Sequence, residues 1–105
     1  MRLSPEVQAF FKQEVPNIPV PSRFFLFGSR TSDTTSGGDV DILILSDSRL
    51  DRKTIRDIRI RFLIKFGFLK LDIVNFTSTE DNAFKEVIME DAILIAANFE
   101  ETLIP

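Results

Sequence analysis

Residues 28–38 run Gly28-Ser29-Arg30-Thr31-Ser32-Asp33-Thr34-Thr35-Ser36-Gly37-Gly38 without one large apolar side chain, and they stand between two apolar runs, Arg23–Phe27 and Ile42–Leu45. Such a stretch has nothing to offer a core. The chain must therefore leave one buried strand, cross a polar loop and enter a second strand at Asp39. Val40, Ile42 and Ile44 alternate with Leu43 and Leu45, so from Ile42 onward both faces are apolar, which predicts a strand in the middle of a sheet.

The flanking segments supply the cover. Ser4-Pro5-Glu6 reads as a helix start, with Ser4 as N-cap and Pro5 at the first helical position, where its missing N–H costs nothing. Val7, Phe10 and Phe11 make the buried stripe of that helix, and Pro16, Pro19 and Pro21 stop it by Val15. Arg49–Phe66 carries Ile55, Ile58 and Phe62 at helical spacing opposite Arg52, Arg56 and Arg59, with Gly67 placed to close the helix. Residues 68–76 read as a third strand with Asp72 in its middle. A last helix is predicted from Thr77 or Ser78, where Thr77 and Glu80 have capping-box spacing, through Phe84, Val87 and Ile88. Residues 92–97 fit either a short strand or a continued helix. The sum is an α/β chain of the α+β two-layer kind, a small mixed sheet packed with helices, in one domain over residues 1–105. The 44% of hydrophobic residues, eleven Phe among them, suffices for one core.

Composition removes whole classes of chemistry. Without Cys or His, thiol nucleophiles, zinc clusters and imidazole acid–base catalysis are excluded, and any catalysis must use carboxylates, hydroxyls, Lys, Arg or a metal held by oxygen. Mg²⁺ prefers such oxygen ligands. A net charge of −3 argues against a general nucleic-acid binder. No apolar run approaches the ~20 residues of a membrane span, and the first residues lack a secretory pattern. A soluble cytoplasmic protein is expected.

Asp39 and Asp41 are two apart on a strand and so project from one face at its beginning. Adjacent carboxylates repel, and a divalent cation is the usual means of holding them together. Taken alone, Asp-x-Asp is more often a solvated turn than a site, and a Gly ending a strand is more often only a turn residue. Their combination changes the balance. Gly28-Ser29 sits directly after a buried strand, where a backbone without Cβ and a hydroxyl can approach phosphate oxygens. Asp72 should point away from the core, between Leu71 and Ile73, and if its strand lies beside that of Asp39, three carboxylates converge. Three carboxylates and a phosphate-binding loop suit phosphoryl or nucleotidyl transfer.

The run Leu26-Phe27-Gly28-Ser29-Arg30, followed after residues 30–38 by Asp39-Val40-Asp41-Ile42 and later by Asp72, resembles the minimal nucleotidyltransferases of the DNA polymerase β superfamily. The resemblance covers residues 23–95 in element order. It implies a polymerase-β-like nucleotidyltransferase fold and Mg²⁺ at Asp39 and Asp41. Triphosphate contacts fall to Gly28, Ser29 and the adjoining Arg30, while Asp72 completes the metal site and helps activate the incoming hydroxyl. ATP is the donor it suggests, with attack at the α-phosphorus and release of pyrophosphate. The pattern departs at Gly38, where relatives often carry Ser; this removes one hydroxyl but no carboxylate. Larger members add a second domain, which 105 residues do not accommodate. The resemblance therefore implies a separate partner that completes the cleft, a helical HEPN-type protein in a toxin–antitoxin pair, although homo-oligomerisation could serve the same purpose. The absence of Tyr places any tyrosyl acceptor on that partner.

Two rival classes remain in view. An inactive nucleotide- or partner-binding module acting by occlusion should have lost a metal carboxylate, and none of the three is missing. A template-directed polymerase should show basic excess and an additional binding domain. The Arg52, Arg56, Arg59 face reads as the solvated side of its helix, partly paired with Asp51 and Asp57, and Lys70 as a surface lysine.

Overall fold

The computed structural model describes residues 3–28 and 39–99. The elements are α1 (Pro5–Glu14), a 3₁₀ turn (Val15–Asn17), β1 (Ser22–Phe27), β2 (Asp39–Ser46), α2 (Arg52–Lys65), β3 (Lys70–Thr77), α3 (Ala83–Asp91) and β4 (Ile93–Ala97). The strands order as β3-β2-β1-β4; β2 and β3 run parallel and the other pairs antiparallel. This is an α+β fold on a small mixed sheet. As its apolar pattern required, β2 is central, and Ile42, Leu43 and Ile44 are fully buried.

One face of the sheet carries most of the core. Phe24, Leu26, Val40, Ile42, Ile44 and Leu71 pack there beneath α1 and α2. Phe10, Phe11, Phe24, Phe62 and Phe66 meet ring to ring, with centroids 5.0 Å apart for Phe62–Phe66 and 5.9 Å for Phe10–Phe66. Glu14 is buried between the two helices and accepts two hydrogen bonds from Arg61, at 2.7 and 2.8 Å. Those bonds raise the affinity of the guanidinium for its proton, and the fork-on-carboxylate geometry fixes α1 against α2. The opposite face holds a smaller cluster, Phe25, Leu43, Leu45, Phe76 and Ile88, covered by α3.

Several boundaries differ from those predicted, each for a local reason. Helix α1 is capped by Ser4, whose Oγ accepts the Val7 N–H at 3.2 Å, and ends before Val15 as the prolines demand. Helix α2 begins at Arg52 rather than Arg49 because Asp51 caps it, accepting the Thr54 N–H at 2.8 Å. That bond also lowers the Asp51 pKa. Arg49 instead reaches Glu80 and the Asn75 carbonyl. Gly67 follows the helix without adopting the left-handed backbone expected of it. Strand β3 starts at Lys70, and Phe68 lies in the preceding turn, 84% exposed, against its assignment to strand and core.

Thr77 and Glu80 do bond reciprocally, Thr77 N–H to Glu80 at 2.7 Å and Glu80 N–H to Thr77 Oγ at 3.1 Å. They close a turn, however, not a helix. The helix α3 starts later, where Asn82 accepts the N–H groups of both Phe84 and Lys85. Asp57 pairs with Lys53 at 2.7 Å, and among the described residues Arg52, Arg56 and Arg59 make no ion pair, so the pairing expected for that face falls to its lysine. Residues 93–97 resolve as strand, paired with β1 through a bulge between Phe24 and Phe25. Among the described residues no helix is long and apolar enough to cross a membrane.

Candidate active site

The α3 side of the sheet reads as a ladder of rows, because partners in register project from the same face. Phe25, Leu43 and Val74 form one row and Arg23, Leu45 and Phe76 the next. Toward the start of β2 the character changes abruptly. The row Phe27, Asp41, Asp72 places two carboxylates on adjacent strands, and beyond it Asp39 pairs with Lys70. Parallel pairing of β2 with β3 is what brings Asp72 beside Asp41. Leu71 and Ile73 turn to the larger core, as their alternation required.

Gly28 closes β1 beside this cluster with φ 78°, in the left-handed region that disfavours side chains. A Cβ at this position would lie 2.3 Å from Asp41 Oδ2. The space a side chain would fill is thus taken by the Asp41 carboxylate. The sequence suggested that Gly28 makes room for phosphate; the observed neighbour is the metal-ligand candidate itself. Asp39 is half-exposed, and its Oδ2 lies 4.0 Å from Lys70 Nζ, so Lys70 is part of the cluster rather than a remote surface lysine. That pairing depends on strand register, which no local pattern discloses.

The donor set is all oxygen, carried on neighbouring strands at the mouth of the sheet, and in chemistry it fits a hard cation such as Mg²⁺. Among the described residues no three acidic groups are gathered closely enough to hold one ion; Asp41 rests against Gly28 and Asp39 faces Lys70. Mutual repulsion of carboxylates accounts for such an open arrangement. Ser29 and Arg30, the remaining phosphate candidates, lie outside the described residues.

A groove of about 370 Å³ adjoins the cluster, lined by Phe27, Gly28, Phe84, Val87, Ile88 and Asp91. The sequence had assigned Phe84 and Val87 to the core. Only Ile88 of that helix is buried; Phe84 is 54% and Val87 63% exposed. The helical stripe of α3 is wider than the sheet beneath it, and its outer edge overhangs the carboxylate end.

The family model for the nucleotidyltransferase domain matches residues 5–95. The chain belongs to the nucleotidyltransferase domain family. Its arrangement of Gly28, Asp39, Asp41 and Asp72 is accordingly that of a nucleotidyltransferase, an enzyme acting on a nucleotide. No curated protein matches the sequence significantly. Among solved structures, this nucleotidyltransferase is similar to a chain of the tri-AMPylated Shewanella oneidensis HEPN toxin in complex with MNT antitoxin. There the TM-score is 0.62 at 17% identity, over 84% of this chain and 67% of that one. A toxin–antitoxin structure with AMP-PNP gives a TM-score of 0.67 at 17% identity, covering 84% of this chain and 71% of the other. A mutant of the MntA–HpeT toxin–antitoxin gives 0.66 at 13% identity, with 84% and 70% covered. At such identities the likeness establishes the shared fold.

Proposed function

We propose that this nucleotidyltransferase, acting as one domain over residues 1–105, moves a nucleoside monophosphate, AMP from ATP, onto a hydroxyl of a separate helical partner of the HEPN type. In this reading it is the antitoxin of a toxin–antitoxin pair, working in the cytoplasm. The observation that carries it is the row formed by Asp41 and Asp72 beside a glycine whose missing Cβ seats the Asp41 carboxylate. The complexes found among the structural neighbours, one with an AMPylated HEPN toxin and one with AMP-PNP, support the choice of partner and donor.

Asp39 and Asp41, with Asp72 completing the set, would hold Mg²⁺, which supplies positive charge against the phosphate oxygens as charge builds on the leaving group. Asp72 accepts the proton of the acceptor hydroxyl. The acceptor oxygen bonds to the α-phosphorus, the bond to the bridging oxygen of the β-phosphate breaks, and pyrophosphate leaves with that electron pair. Gly28, Ser29 and Arg30 hold the triphosphate, and the Gly28 backbone keeps Asp41 in line with Asp72. The partner, or a second copy of this chain, supplies the wall of the cleft that faces the acceptor.

The test is transfer from α-phosphate-labelled ATP with Mg²⁺ onto proteins of a source-cell lysate, comparing the native chain with Asp39→Asn/Asp41→Asn. Label on a discrete protein with the native chain alone supports the reading. Absence of transfer from all four nucleotides, with Mg²⁺-dependent binding retained, replaces it with a module that acts by occlusion.

A further inference from the structure

The groove between α3 and the end of β1 touches the carboxylate cluster through one residue. Gly28 lines the groove on one side and lies against Asp41 on the other, so whatever fills the groove continues directly from a group held at Asp41. We infer that the groove holds the purine base of the nucleoside triphosphate donor; the inference rests on the nucleotidyl-transfer reading and adds the place where the donor is recognised.

Three features select a base over other occupants. The volume of about 370 Å³ lies at the small end of the ~300–1,000 Å³ usual for small-molecule sites, enough for a ring system and too small for a protein element. The walls are flat and apolar. Phe27 lies on the sheet side and Phe84 on the helix, with Val87 one turn further along α3. Phe84 is more than half exposed, yet its ring is fixed from behind by an edge contact with Phe76, centroids 6.2 Å apart, so it presents a preformed stacking face. The third feature is Asp91, the charged residue of the lining, on the same helix face as Phe84 and Val87. A carboxylate only accepts hydrogen bonds, so it favours a base edge that carries an amino group over the carbonyl-rich edge of uracil.

The experiment is calorimetric titration of the full chain, in Mg²⁺, with ATP, UTP and inorganic tripolyphosphate. Native protein should bind ATP more tightly than UTP or tripolyphosphate. Phe84→Ala should weaken ATP about tenfold, as loss of one stacking partner does, and leave tripolyphosphate unchanged; unchanged tripolyphosphate binding also shows that the variant is folded. Val87→Arg, at an exposed position, should block the groove with the same signature, and Asp91→Asn should narrow the preference for ATP over UTP. If ATP and tripolyphosphate bind the native chain equally and the variants change nothing, the groove holds no base while the triphosphate site stands. If Phe84→Ala leaves all three affinities intact but abolishes transfer to the protein acceptor, the groove is a partner contact and the inference fails. Binding of none of the three to the native chain overturns the nucleotidyl-transfer reading itself.

Discussion

The two faces of the sheet obey different rules. Under α1 and α2, five phenylalanine rings and a buried Glu14–Arg61 pair fill the space completely. Under α3 the packing is good only beneath Ile88, and toward the start of β2 it gives way to Asp39, Asp41, Asp72 and Lys70. Both faces belong to the same strands, so alternation along a single strand separates them: Val40, Ile42 and Ile44 stabilise the fold while Asp39 and Asp41 form the site. The division lets charge accumulate on one side without cost to the other. It also means that stability and activity should respond to different residues.

The sharpest test of that separation is Asp41→Asn. Replacing a charge at the centre of the site should lower transfer about 10³-fold, on the scale seen when one preorganised electrostatic group is lost. Stability should be unchanged or slightly raised, since repulsion from Asp39 and Asp72 is relieved. Radiolabel transfer and a urea melt on the same preparations measure both. A loss of stability above about 2 kcal/mol would mean that the site is part of the structural framework after all.

Phe62→Ala is the converse. Phe62 is 1% exposed and touches Phe10, Phe11 and Phe66, so the fold should lose about 3–4 kcal/mol through transfer and cavity terms. ATP affinity measured well below the melting transition should remain, because no ring of that cluster reaches the other face.

Gly28→Ala sits where the two faces meet. The left-handed backbone alone costs an alanine about 1–2 kcal/mol, and its Cβ would collide with the Asp41 carboxylate. Stability should fall by that amount and transfer by considerably more. In an Asp41→Asn background the added loss of transfer should nearly vanish, since the carboxylate that Gly28 accommodates is already gone. Fully additive losses would indicate that Gly28 acts on the phosphates independently of Asp41.

How much of this was legible beforehand follows the same division. The closed face was readable because its signals are local: Ser4 before Pro5, helical spacing of Phe10 and Phe62, unbroken apolar residues in β2. Asp39, Asp41 and Asp72 were legible as candidates from strand alternation and from a resemblance. Their convergence depended on β3 lying parallel beside β2, which a crossover through α2 permits but no dipeptide states. Lys70 beside Asp39 is a matter of register, and the partial cover by α3 is a matter of where that helix starts. The Thr77–Glu80 pattern pointed too early, because the same reciprocal bonds that open a helix can close a turn when Lys85 reaches back to the carbonyls of Thr77, Ser78 and Glu80.

That late start makes Asn82 the residue on which the open face depends most economically. Its side-chain oxygen accepts the N–H groups of Phe84 and Lys85 at 2.9 and 3.1 Å, satisfying two donors that α3 would otherwise leave unbonded. Asn82→Ala should therefore cost about 1 kcal/mol, the smallest effect of the series. Its location is more informative than its size. Helix α3 is the only described helix over the smaller cluster, so fraying should speed amide exchange in α3 and leave the amides of α1, α2 and β2 near their native rates. If exchange instead accelerates evenly through both faces, α3 unfolds only with the whole domain, and the two faces are one cooperative unit despite their different chemistry.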